Sequence, residues 1–165
     1  MGFTYLDYAA TTPLSEAVKN TLIETISNHD DFFNSGSSTY EQAEIVGHKI
    51  KLARKDIAET IGVLPREIVF TSGATESNNL AIKGVAYDYK HKGNHIITSK
   101  AEHKAVLDVC KHLEAEGFEI TYLSVDSTGK INPKELENAI TDKTILISLM
   151  AVNNELGTIN DLKAI

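Results

Sequence analysis

Apolar residues recur at three- and four-residue spacing between Tyr40 and Ile61, where Ala43, Val46, Ile50, Ala53, Ile57 and Ile61 form one stripe. That period predicts the longest helix of the chain, and Gly62 predicts its end. A shorter stripe, Val18, Leu22 and Ile26, predicts a helix from Ser15 to about Ile26. Beyond Gly62 the pattern changes. Apolar, β-branched runs at Ile68–Thr71, His95–Thr98, Ile120–Leu123 and Thr144–Leu149 predict strands. Helical stretches from Thr75 to about Tyr89, Lys104 to about Glu116 and Pro133 to about Ile140 lie between them. Asn132-Pro133-Lys134-Glu135 is a helix start, with an Asn cap, proline in the first turn and Glu three residues after the cap. Strands that recur roughly every 25 residues with helices between them indicate βαβ units and a parallel sheet. Thr144–Met150 reads as a central strand buried on both faces. Asp161–Ile165 reads as the opening of an amphipathic helix, so the sheet is expected to be partly uncovered and the chain to be a piece of a longer one.

Composition narrows this picture only a little. The 165 residues are 42% hydrophobic and 24% charged, a balance suited to one globular domain with a core. A formal net charge of −7 argues against nucleic acid or an acidic membrane surface as the main partner. One cysteine, Cys110, excludes an internal disulfide and favours a reducing compartment, with the cytoplasm as the expected location. No apolar run approaches the ~20 residues of a membrane-spanning helix.

The chemistry concentrates where predicted strands end. Thr71-Ser72-Gly73-Ala74-Thr75-Glu76-Ser77-Asn78-Asn79 joins an expected strand to an expected helix. A glycine, a hydroxyl and the free N–H groups of a helix start together form a cup for an anion, best suited to a phosphate. An ordinary turn with Thr75 as N-cap reads equally well on these nine residues. The segment has neither the Gly-Lys-Ser/Thr of a Walker loop nor the glycines of a dinucleotide fingerprint. Ligands of doubly wound sheets bind outside the carboxyl ends of the strands, which adds the loops Ser99–Lys104 and Ala151–Gly157. His103 stands there as a candidate acid/base or a ring to stack on a flat ligand; a solvated turn residue is the plainer reading. Asn153 and Asn154 suit hydrogen bonding to a ligand oxygen, or turn formation. His91 and His95 lie four apart near Asp88, but Gly93 and the strand start between them oppose a shared metal face, and no metal is expected. Cys110 lies on the stripe Val106, Val109, Leu113 and reads as a buried structural thiol.

Four segments in order carry a family resemblance: Tyr5-Leu6-Asp7-Tyr8-Ala9-Ala10-Thr11-Thr12-Pro13, Phe70 through Ala81, Glu102-His103-Lys104-Ala105-Val106 and Val152-Asn153-Asn154-Glu155-Leu156-Gly157. Together they resemble the cysteine desulfurases of the class-V aminotransferase family, in the branch serving nitrogen fixation and iron–sulfur cluster assembly. The resemblance implies a three-layer α/β/α large domain of the type I pyridoxal-phosphate fold, present incompletely. Residues 1–165 would be the N-terminal part of that domain, 1–40 an arm and helix leading into it, and the small C-terminal domain would be absent. It further implies pyridoxal 5′-phosphate as cofactor, L-cysteine as substrate, a homodimer, and a sulfur acceptor that is an iron–sulfur scaffold or a tRNA-thiolation protein. Carried onto this chain, Ala74 and Thr75 would hold the cofactor phosphate. His103 would stack on the pyridine ring and move protons. Asn154 would hydrogen-bond near the cofactor's phenolic oxygen and the substrate. Asn34 would approach the substrate, although the text around it departs from the family's Gly-Asn-Pro form.

The same resemblance puts the family's aspartate, Schiff-base lysine, catalytic cysteine and carboxylate-binding arginine beyond Ile165, and Cys110 does not replace the missing nucleophile. These 165 residues alone are therefore expected to be inactive, whereas the parent protein converts L-cysteine to L-alanine and passes sulfur on as an enzyme persulfide. Two other readings remain: another pyridoxal-phosphate lyase or aminotransferase of the same fold, and a non-catalytic half-domain.

Overall fold

A computed structural model describes residues 3–165. The chain divides between Phe70 and Thr71 into two units. The first contains α1 (Glu16–Ser27) and α2 (Glu41–Ile61). Ser15 caps α1 by accepting the Val18 N–H, and α2 stops at Gly62, whose φ of 72° is the left-handed conformation glycine adopts without a steric cost. An ion pair from Lys49 to Asp31 ties α2 to the 3-10 turn His29–Asp31. Only Ala43, Val46 and Ala58 of α2 are buried, and the stripe Val18, Leu22, Ile26 on α1 is exposed.

Ile68–Thr71 is not a strand. Ile68 is extended, but the segment pairs with no neighbour among the described residues. Its carbonyl accepts instead from the Arg54 guanidinium, which lies over the Phe70 ring at 4.6 Å. β-Branched and aromatic residues make a segment suitable for pairing; a ladder also needs an adjacent edge.

The second unit is built of α3 (Ala74–Tyr89), β1 (His95–Ser99), α4 (Lys104–Ala115), β2 (Glu119–Leu123), α5 (Pro133–Ala139) and β3 (Thr144–Ile147). All three strands are parallel, in the order β2-β1-β3. Alternation along the strands sends Ile96 to one face and Ile97 to the other. Ile96 packs with Ile82 and Ala86 of α3, Val106, Val109, Cys110 and Leu113 of α4, and Phe118. Ile97 packs with Leu123, Ile131 and Leu136 of α5. Helices therefore cover both faces, as three layers. A right-handed crossover requires this: the chain steps from β1 to β2 and then back past β1 to β3, so α4 and α5 must lie on opposite sides.

The strand buried throughout is β1, whereas β3 is an edge with half-buried residues and an exposed Ile147. Hydropathy points to β3 because β1 carries His95, Thr98 and Ser99, which are buried through internal hydrogen bonds. His95 joins Thr144 through Nδ1 and Thr121 through Nε2, both at 2.8 Å, and so pins β3 and β2 to the central strand. Thr98 donates to the Ser148 carbonyl at 3.0 Å. Both ring nitrogens of His95 are thus engaged by threonines, and His91 Nδ1 lies against the Asp88 carbonyl.

Candidate functional site

A short turn of Lys90–Asn94 reverses the chain from α3 into β1, so α3 starts at the end of the sheet where β1 stops. That end is also where α4 begins and where the chain leaves β3. Connections from β1 and β3 diverge there, which makes the crevice between their carboxyl ends the natural ligand position.

At the start of α3, Gly73 is the N-cap, and Thr75 is the second residue of the helix rather than its cap. The first bond of the helix runs from Ser77 N–H to the Gly73 carbonyl at 3.1 Å, so the N–H groups of Ala74, Thr75 and Glu76 have no intrahelical acceptor. Among the described residues nothing engages the Thr75 hydroxyl. A Cβ placed on Gly73 would meet no atom within 4 Å, so the space beside the turn is open. Glu76 folds back onto the turn, accepting from the N–H and the hydroxyl of Ser72, both at 2.6 Å. Those bonds, the hydroxyl's first, hold its carboxyl below the ordinary value of 4.5. Thr71 and Ser77 hydroxyls close the turn at 2.7 Å.

His103 is the N-cap of α4. Its Nδ1 accepts the Ala105 N–H at 3.1 Å, so the neutral ring carries its proton on Nε2, which is left for a ligand. The residue is exposed on the rim.

The two asparagines after β3 separate cleanly. Asn153 is consumed by the scaffold: Nδ2 donates to the Ala101 carbonyl at 3.0 Å, and Oδ1 accepts the N–H groups of Glu155 and Leu156 at 2.9 and 2.8 Å. Asn154 is exposed, and no described residue bonds its amide. Two residues that the pattern did not single out complete the frame. Glu102 accepts the Met150 N–H, and buried Asn160 takes the Met150 carbonyl at 2.8 Å and the Ile131 N–H at 3.1 Å. A polar side chain buried at a strand end is common in any turn, so only the tertiary structure reveals these roles.

The structure thus brings the His103 loop and the Asn154 loop together through direct bonds and directs the start of α3 to the same end of the sheet. Asn34 lies in the first unit, where its Oδ1 accepts the Gly36 N–H at 3.0 Å in a tight turn. Cys110 is fully buried in the layer between α4 and the sheet, and burial pushes its thiol up to about 11. Such a thiol is not a nucleophile at neutral pH.

The profile of the aminotransferase class-V family matches residues 4–165. Cysteine desulfurase IscS of Klebsiella pneumoniae subsp. pneumoniae is 53% identical over 161 residues, which are 98% of this chain and 40% of that protein. The solved structure of SspA in complex with cysteine superposes with a TM-score of 0.88 at 44% identity, over 98% of this chain and 46% of that one. A NifS-like protein gives 0.88 at 38% identity over 94% of this chain and 42% of its own. The chain spans about two-fifths of the length of the curated relatives it matches. The sheet and its two helical layers have the type I fold of pyridoxal-phosphate enzymes, and the chain belongs to the class-V aminotransferase family.

Proposed function

We propose that this chain is the N-terminal part of the large domain of a cysteine desulfurase, with residues 1–40 leading into it, and that the whole protein converts L-cysteine to L-alanine with pyridoxal phosphate. One observation carries the reading. Three unclaimed N–H groups and the Thr75 hydroxyl stand at the end of the sheet where the His103 and Asn154 loops are bonded together. The donors fit a phosphate, and an exposed imidazole and an uncommitted amide fit a flat polar ring and its substituents.

In this reading Ala74 and Thr75 hold the phosphate. His103 packs its ring on the cofactor, and its Nε2 donates or recovers a proton while Ala105 keeps Nδ1 fixed. Asn154 hydrogen-bonds a cofactor or substrate oxygen. When bound, pyridoxal phosphate supplies an electron sink for the substrate carbon. L-Cysteine as substrate is supported by the cysteine bound to SspA, a structural neighbour. A homodimer, and transfer of sulfur to an iron–sulfur scaffold or a tRNA-thiolation protein, rest on the family resemblance. A cytoplasmic setting rests on the single, buried, unpaired cysteine.

The test uses the full-length protein. Loaded with pyridoxal phosphate, it should release L-alanine from L-cysteine with an equal amount of sulfane sulfur. Turnover of a different amino acid but not of L-cysteine would refute the assignment. Thr75→Ala should weaken cofactor binding by about tenfold or more, the scale of one hydrogen bond to a charged group; unchanged affinity would move the phosphate elsewhere.

A further inference from the structure

We propose that Glu102 is a positioning residue for the reaction above: its carboxylate, by accepting the Met150 N–H, sets the loop bearing Asn154 in register against the loop bearing His103. The inference rests on that functional reading. Its argument is that the two loops leave different strands and that the β1–β3 ladder gives out between them. Cα pairing ends at Ile97 and Ile147, and the last bonds are Ser148 N–H to the Ile97 carbonyl at 2.9 Å and Thr98 hydroxyl to the Ser148 carbonyl at 3.0 Å. Past Ser148, side chains take over. Met150 is gripped from both sides, its N–H by Glu102 and its carbonyl by Asn160, and Asn153 closes onto Ala101.

Of these holds, only the Glu102 bond starts from the residue next to His103. The carboxylate that accepts the Met150 N–H is therefore fixed in the chain immediately before His103. Half-burial of that carboxylate opposes its ionisation, a cost that a surface glutamate would avoid. The Met150 N–H accounts for its being there. Met150 lies four residues before Asn154, within the reach of a rigid turn closed by Asn153.

The experiment compares two conservative variants of the full-length, cofactor-loaded protein. Glu102→Gln keeps an acceptor oxygen at the same reach and should retain kcat/KM for L-cysteine within about twofold. Glu102→Asp keeps the charge but is one methylene short of Met150; kcat/KM should fall on the order of tenfold, mostly through KM. Cofactor affinity should change far less, since the phosphate is held by α3. Hydrogen exchange supplies the readout besides activity: amides of residues 148–154 should lose protection in Glu102→Asp and keep it in Glu102→Gln. An Asp variant with wild-type kinetics and exchange would overturn the proposal, as would a Gln variant as impaired as the Asp one. If the parent protein takes up no pyridoxal phosphate, the functional reading fails separately, and the exchange comparison still decides whether Glu102 couples the loops.

Discussion

Asn153 and Asn154 are neighbours of the same type, yet their amides have different fates because one is turned into the loop and the other away from it. Asn153→Ala should remove three hydrogen bonds at once and lower stability by about 2 kcal/mol, while Asn154→Ala should leave stability nearly unchanged. Urea unfolding of both variants checks the contrast. Cys110 should resist iodoacetamide in the folded protein and react promptly once urea exposes it, because its thiol is both buried and pushed up to about 11; intact mass before and after unfolding reads this directly. Glu76 sets a pH dependence. Its folded carboxyl is held below the ordinary value by Ser72, so its contribution is present above that range and is lost as the pH falls through the lowered value. Glu76→Gln should flatten the acid side of the stability profile.

Among the elements, β1 depends on two close fits at its amino end. A Cβ at Gly93 would stand 2.2 Å from the Lys143 carbonyl oxygen, a backbone atom that cannot step aside, so the turn into β1 is open only to glycine. Gly93→Ala should cost at least about 2 kcal/mol, which a shifted denaturation midpoint would register. Two residues on, His95 fastens both neighbouring strands through threonine hydroxyls. The elements themselves were largely legible. Helices α1 to α5 begin and end within a residue or two of where period and caps put them, because amphipathic spacing and capping act locally, whereas Asp161–Ile165, expected to open a helix, forms a hydrogen-bonded turn. Ile68–Thr71 was misread for the opposite reason: strand pairing depends on a partner that no local pattern contains. The rank of the strands was misread likewise, since polar residues in β1 are buried by hydrogen bonds reaching across 26 to 50 positions of sequence.

At the scale of the whole molecule, large apolar side chains stand exposed on both units, among them Leu22, Ile23 and Ile26 of α1, Ile57 and Ile61 of α2, and Leu80 of α3. A polypeptide of these 165 residues should therefore self-associate or bind a hydrophobic dye. Light scattering showing a clean monomer without dye uptake would contradict this. The candidate site was legible in outline. A glycine-containing turn, His103 and Asn154 all fall after predicted strands, and the rule that ligands bind at carboxyl ends gathers them. The holding residues Glu102 and Asn160 were not legible, since a glutamate beside a histidine and an asparagine in a loop look the same whether they face water or clasp a backbone.

Local spacing, caps and strand-end chemistry were enough to define an α/β chain with a parallel sheet and an anion cup, because each depends on residues a few positions apart. Which strand lies at the centre, which asparagine is free, and what bonds the loops bearing His103 and Asn154 to each other were decided only by the tertiary structure, because those outcomes depend on hydrogen bonds between residues far apart in the chain.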